Sequence, residues 1–259
     1  MYDIHSHILP GVDDGAKTMD DSVRMARVAA DNGTKTVVAT PHRKDVTEGF
    51  SVGYVHELVS KFKTQLAAEK VDLKIVLGME NHLDLDLPDA LENGTALRLN
   101  GSRYVLVELP FFEYPNYVED VLFKIQLMEL TPVLAHPERI EAIQKDLELL
   151  AAFVRRGMLS QVTAGSIVGH FGGKVKRLTR AMLKRGLVHV IAADAHFAQG
   201  PRSPTLTPGY AAAVEIVDEE QASEMVLATP EAIISNEPLE IEPPTEGGSR
   251  WRWWWFGRS

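Results

Sequence analysis

The chain has 259 residues, 45% of them hydrophobic and 24% charged, which suits a folded domain with a sizeable core and excludes wholesale disorder. It contains no cysteine, so disulfides, thiolate metal sites, iron–sulfur clusters and thiol catalysis are excluded together. The formal charge of −9 argues against a nucleic-acid backbone as the main partner.

In chain order, short apolar runs alternate with stretches of helical period. A first strand at residues 2–4 runs into Asp3-Ile-His5-Ser-His7. Thr18, with Asp21 three residues on, has the form of a capping box and predicts a helix start near residue 19, with Met19, Val23, Ala26 and Ala30 on one face. Gly33 then suits a left-handed helix exit before a strand at 36–39 and Thr40-Pro41-His42. Strands follow at 73–77, running into Gly78-Met79-Glu80, and at 104–107, running into Glu108. Val118, Leu122, Ile125 and Met128 mark the next helical face. The strand at 132–135 ends in His136-Pro137-Glu138-Arg139. Strands at 159–162 and 188–192 each come after a glycine, Gly157 and Gly186, and the last runs into Asp194-Ala195-His196. Residues 237–246 are rich in Glu and Pro and read as a linker, and all four tryptophans lie in the tail beyond it. With no apolar run of about 18 residues and a start at Met-Tyr-Asp-Ile-His, we expect no spanning helix, no secretory signal and a cytoplasmic address.

Seven strand–helix units predict an α/β fold, a distorted (β/α)7 barrel over residues 1–236, followed by a disordered tail at 237–259. An open doubly wound sheet is the alternative. The polar residues favour the barrel, because all but one strand ends in an imidazole or carboxylate, and the C-terminal strand ends of such a barrel converge on one mouth. Ligands of this kind without thiolate suit divalent manganese, iron, cobalt or zinc. In an ideal strand His5 and His7 point to one face and reach the same ion, with Asp3 on that face to orient a ligand. His56, His82, His170 and His189 are read instead as surface or core histidines satisfied by backbone.

The opening Asp-Ile-His-Ser-His-Ile-Leu-Pro-Gly-Val-Asp-Asp-Gly, with Ala-Thr-Pro-His, Ala-His-Pro-Glu-Arg and Ala-Asp-Ala-His, resembles the polymerase and histidinol phosphatase (PHP) superfamily. Within it the sequence is most similar to the manganese-dependent bacterial protein-tyrosine phosphatases of capsule and exopolysaccharide clusters. The resemblance covers residues 1–236. It implies a TIM-like barrel and three divalent ions, manganese in first place, with iron, cobalt, magnesium or zinc as substitutes. It implies that His5, His7, Glu80 and Asp194 hold the first ion, with Glu80 bridging to a second completed by Glu108 and His136. His42 and His196, with Asp14, are implied for the third. Arg139 and Arg202 are implied as grips on the phosphate, the plainer reading of Arg139 being a salt bridge to a helix carboxylate such as Glu141. Arg43 departs from the pattern, which leads one to expect a polar or His residue after His42.

The reaction so implied is hydrolysis of a phosphate monoester by a metal-bridging hydroxide attacking in line, without a phospho-enzyme. The absence of cysteine agrees, since the common tyrosine phosphatases need a Cys nucleophile. His42 or His196 is placed to assist the phenolate leaving group. A phosphotyrosine protein, by resemblance a bacterial tyrosine autokinase, is the expected partner. The rival readings are a small-molecule phosphatase of the histidinol-phosphate type, a nuclease, and a non-catalytic metal-dependent docking domain. The Arg- and Trp-rich tail reads either as an interfacial membrane contact, as a docking peptide, or as inert.

Overall fold

In the computed structural model, which describes residues 1–241, 243 and 244, Thr18 starts the first helix as its side chain dictates. Its hydroxyl accepts the Asp21 N–H at 3.2 Å, and the Asp21 carboxylate accepts the Thr18 N–H at 3.0 Å. The sequence reading of the tryptophan-rich tail lies outside the described residues.

The strands form two parallel sheets. β1 (Tyr2–Ser6), β2 (Thr36–Ala39) and β3 (Lys74–Leu77) pair in chain order, and so do β4 (Asn81–His82), β5 (Tyr104–Glu108), β6 (Thr131–Ala135), β7 (Leu159–Thr163) and β8 (Val190–Ala192). Parallel neighbours need long crossovers, and helices supply them. These are α1 (Met19–Asp31), α2 (Arg43–Gly49), α3 (Val52–Ala68), α4 (Leu87–Asn93), α5 (Val118–Leu127), α6 (Glu141–Lys145), α7 (Leu147–Arg155), α8 (Ala164–Val168) and α9 (Gly173–Lys184). Three more, α10 (Thr207–Val214), α11 (Glu219–Val226) and α12 (Ala228–Ile234), follow the last strand. No described helix is long and apolar enough to cross a membrane.

One face of both sheets shares a single apolar cluster. Ile4, Val38 and Val76 of the first sheet meet Leu106, Val133, Leu159 and Val190 of the second, with Ile233 and Ile234 of α12 closing one end. The opposite faces pack on the helices, through residues such as Val37, Ile75, Val105, Leu134 and Ile191. Alternating positions are therefore buried on both sides, which explains the near-continuous apolar runs. The chain also packs beyond residue 236: the Tyr104 hydroxyl donates to the Glu237 carbonyl at 2.7 Å, and Leu239 and Ile241 lie against the shared cluster.

The seven expected strands become eight among the described residues, because the third is broken. A Cβ at Gly78 would stand 3.0 Å from Leu99 and Val38 side chains, so glycine suits this close approach. Lys74–Leu77 pair with β2, whereas Asn81 and His82 pair with β5. Glu80, in between, still exchanges backbone bonds with the extension of β2, donating to the Pro41 carbonyl and accepting the Arg43 N–H. At the other margin Asp194 N–H donates to the His5 carbonyl at 2.9 Å and His7 N–H to the Ala195 carbonyl at 2.8 Å. Backbone bonds thus join the sheets at both margins, and the strand ends face one another.

Candidate metal centre

The register of β1 is irregular between Asp3 and Ser6. Ile4 lies in the shared apolar cluster, yet His5 also reaches across it, placing Nδ1 2.8 Å from Gln161 Oε1 on β7. The simple alternation that put Asp3 on the face of His5 and His7 therefore fails. Asp3 Oδ1 instead accepts the backbone N–H groups of His5 and Ala193, tying β1 to β8, and burial raises its pKa to about 6.

His5 and His7 nevertheless converge. Their Nε2 atoms stand 3.3 Å apart, and each Nδ1–H is taken by an acceptor, Gln161 for His5 and Asp13 Oδ2 at 2.7 Å for His7. With Nδ1 so engaged, the two Nε2 atoms are turned toward each other, and in their deprotonated form they would direct lone pairs to a cation between them. Glu80 Oε2 lies 3.3 Å from His5 Nε2 and 3.2 Å from His7 Nε2, and Asp194 Oδ1 lies 3.6 and 3.5 Å from the same two atoms. Neighbouring ligands about 2.1 Å from one first-row divalent ion are separated by about 3.0–3.4 Å, depending on coordination geometry. The donor set fits such an ion.

Two further groups share members with this one. His42 Nδ1 is 3.0 Å from Glu80 Oε2, and Glu108 joins them within one candidate ligand group. His136 Nε2 reaches Glu80 Oε1 at 2.9 Å and Glu108 Oε1 at 3.7 Å. Asp14 Oδ1 lies 3.1 Å from His196 Nε2 and 3.4 Å from His42 Nε2, with His7 in the same group. Each of the nine expected ligands is thus brought to one mouth.

The electrostatics agree. Burial alone would raise the Glu80 carboxyl, but His5, His136 and His42 hold it well below its ordinary range. Burial would lower His7 and His42, but the carboxylates around them push these imidazoles up to about 9 and about 11. Such a pocket favours positive charge at its centre. Five carboxylates (Asp13, Asp14, Glu80, Glu108 and Asp194) face two guanidiniums, Arg139 and Arg202.

Both arginines go to Asp194. Arg139 donates to Oδ2 at 2.7 Å, and Arg202 to Oδ1 and Oδ2 at 2.9 and 3.1 Å. Glu141, the plainer partner considered for Arg139, pairs with Lys145. The Arg139 guanidinium lies between two rings, 5.1 Å from the Phe111 centroid and 4.9 Å from that of Phe171. Arg43, the departure in the motif, is buried against the Asp84 carboxylate and the His82 carbonyl.

Local backbone serves the site. His136 (φ 34°) and Asp194 (φ 50°) are left-handed non-glycine residues at strand ends, a strained conformation that concentrates at functional sites. In Gly-Val-Asp-Asp-Gly, a Cβ at Gly15 would fall 2.1 Å from the His7 carbonyl oxygen, so only glycine fits. Its N–H donates to Asp13 Oδ1 at 2.9 Å, holding the carboxylate that holds His7.

Sequence reasoning missed Asp13 and Gln161. Gln161 belongs to the strand without a ligand at its end; its signal was three polar residues, Ser160, Gln161 and Thr163, within the five of Leu-Ser-Gln-Val-Thr. His189 is a core histidine whose Nδ1 accepts the Ser160 N–H at 3.0 Å. His170 Nδ1 lies 3.2 Å from the Pro201 carbonyl oxygen. His82 departs from the bland reading, with Nδ1 3.7 Å from Glu108 Oε2 at the edge of the mouth.

A parallel α/β frame with a buried histidine–carboxylate mouth at its strand ends is the architecture of a metal-dependent hydrolase. The family model for capsular polysaccharide synthesis, CpsB/CapC, matches residues 1–235, and the chain belongs to this family. It is 33% identical over 247 residues to the tyrosine-protein phosphatase YwqE of Bacillus subtilis, covering 94% of this chain and 95% of that protein. It is 30% identical over 245 residues to the tyrosine-protein phosphatase CpsB of Streptococcus pneumoniae, covering 92% of this chain and 99% of that protein. Its fold is similar to the crystal structures of these metal-dependent tyrosine phosphatases, with a TM-score of 0.88, 32% identity and coverage of 96% and 100%.

Proposed function

We infer that this chain is a metal-dependent protein-tyrosine phosphatase of capsule or exopolysaccharide synthesis. The observation that carries the reading is the facing pair of His5 and His7 Nε2 atoms beside Glu80 and Asp194. We propose three divalent ions, manganese in first place, on the groups assigned by resemblance: His5, His7, Glu80 and Asp194; Glu80, Glu108 and His136; Asp14, His42 and His196. We further propose that the joined sheets are a distorted (β/α)7 barrel of the PHP type, its packing extending a few residues past the expected boundary at 236. The proposed setting is the cytoplasm, and the proposed substrate a phosphorylated tyrosine autokinase.

When bound, such ions supply a water-derived nucleophile near neutral pH and positive charge for the phosphoryl oxygens. The chain does the rest. Asp13 and Gln161 hold His7 and His5 in the tautomer that presents Nε2. Arg139 and Arg202, both at Asp194, have further N–H groups with which to take phosphoryl oxygens in forked fashion. A phenol has a pKa near 10, so its oxygen needs a proton as it departs. His42 and His196, which with Asp14 would hold the third ion, stand at the mouth, where positive charge so held would offset the charge on that departing oxygen.

Elemental analysis of the purified protein, together with hydrolysis of a phosphotyrosyl peptide before and after exhaustive chelation, tests the reading. Divalent metal at more than one ion per chain, activity lost on chelation and activity regained with manganese are the expected results. Full activity in the stripped protein would overturn it.

A further inference from the structure

The aromatic side chains around the mouth divide by exposure. Phe111 is committed to the site: it stacks on His136 with centroids 5.5 Å apart and planes 16° apart, and it underlies Arg139. The same guanidinium also lies over the Phe171 ring, 4.9 Å from its centroid. Among the described residues, Phe112 and Phe197 have no comparable commitment. Phe112 is 85% exposed, the most of the large hydrophobic side chains exposed among the described residues, and Phe197 is 52% exposed. Each nevertheless stands one ring contact from the site. Phe112 is 6.3 Å from Phe111, and Phe197 is 6.2 Å from the candidate ligand His196. One follows the end of β5 and the other the end of β8, so they rise from separate strand ends around the mouth.

Single exposed apolar side chains are ordinary on a protein surface. Two phenyl rings beside a deep, charged, histidine-rich mouth are less so, since the chemistry below them calls for anions and water. A phosphate held at the arginines of Asp194 would leave the organic half of the ester toward the rim, where the segments after β5 and β8 carry these rings. Aromatic rings attract one another at centroid separations of about 4.5–7 Å, edge to face or offset. A tyrosyl ester offers a ring there, and a seryl or threonyl ester does not.

We propose that Phe112 and Phe197 flank the phenyl ring of the substrate's phosphotyrosine and set the preference for aryl over alkyl phosphate esters. They are specificity determinants of the reaction and leave the metal groups and the phosphate grip untouched. The inference rests on the phosphate site proposed above.

The test uses non-hydrolysable probes on the manganese-loaded full chain: phenylphosphonate, methylphosphonate and inorganic phosphate, with Kd by titration calorimetry. Phenylphosphonate should bind the wild type more tightly than methylphosphonate. In Phe112→Ala and in Phe197→Ala that ratio should fall by about two- to tenfold, the scale of one aromatic pair, and further in the double variant. Phe197→Tyr should restore it. Affinity for inorganic phosphate, metal content and Tm should stay at wild-type values. A phenyl-to-methyl ratio unchanged in the double variant, or a parallel loss of phosphate affinity, would overturn the assignment. Failure of the wild type to bind inorganic phosphate would overturn the phosphate site itself, and the aromatic assignment with it.

Discussion

At the scale of single residues, the centre is defined as much by what holds the ligands as by the ligands. Gln161 and Asp13 each accept one imidazole N–H, and that bond decides which nitrogen faces the mouth. Gln161→Leu should lower metal affinity about ten- to a hundredfold, the usual cost of losing an orienting partner, while leaving every ligand in place. Competition with a chelator of known affinity measures this, and an unchanged Kd would remove Gln161 from the site. Arg139 is the proposed grip on the phosphate. Its replacement by alanine should cost about 2–4 kcal/mol of transition-state stabilisation in kcat/KM, with metal content unchanged. Lys should restore only part of that loss, because it cannot form the fork. If Arg139→Ala strips metal instead, its bond to Asp194 is the dominant role.

At the scale of elements, the His-Pro-Glu-Arg turn is fastened by its acid. Glu138 is buried, and its Oε1 accepts the Thr163 N–H at 2.9 Å and the Ser166 hydroxyl at 2.6 Å. One side chain thus ties the end of β6 to the start of α8. Burial raises its pKa, so the charged form is disfavoured in the folded state. Glu138→Gln keeps the acceptor without the charge and should stay within about 1 kcal/mol of wild-type stability. Glu138→Leu strands both donors and should cost about 2–4 kcal/mol. Urea denaturation distinguishes the two, and equal losses would show that the charge itself stabilises the turn. A second device of this kind shortens β8. Ser160 N–H goes to the ring of His189 in place of a backbone carbonyl, so the regular ladder begins only at Val190.

At the scale of the whole molecule, that buried imidazole makes stability depend on pH. Burial lowers His189 from 6.5 to about 4 in the folded chain. Above pH 6.5 both states are neutral there and the group contributes nothing. As pH falls from 6.5 toward 4, the unfolded chain takes up a proton that the folded chain refuses, so stability is lost, by about 3 kcal/mol at pH 4 and below. His189→Asn retains an acceptor for Ser160 and should flatten this part of the profile; Tm measured from pH 7.5 to 4 checks it. An identical acid slope in the variant would assign the loss to other groups.

The alternation of strands and helices, the capping box at Thr18 and the glycine exits at Gly33, Gly157 and Gly186 were legible because they depend on neighbours a few residues apart. That most of the candidate ligands gather at one mouth was legible for a related reason: parallel strands bring their C-terminal ends together whatever their separation in sequence, whereas Asp14, past the end of β1, came from the resemblance alone. The irregular register between Asp3 and Ser6, and the change of partner from β2 to β5 between Leu77 and Asn81, belong to the tertiary structure alone. So do the bond between His5 and Gln161, 156 residues apart, and the meeting of Arg139 and Arg202 on one carboxylate. Local pattern specifies which element forms and which end carries a ligand. Which nitrogen faces the centre, and which partner a buried charge takes, depend on side chains that only packing brings into contact.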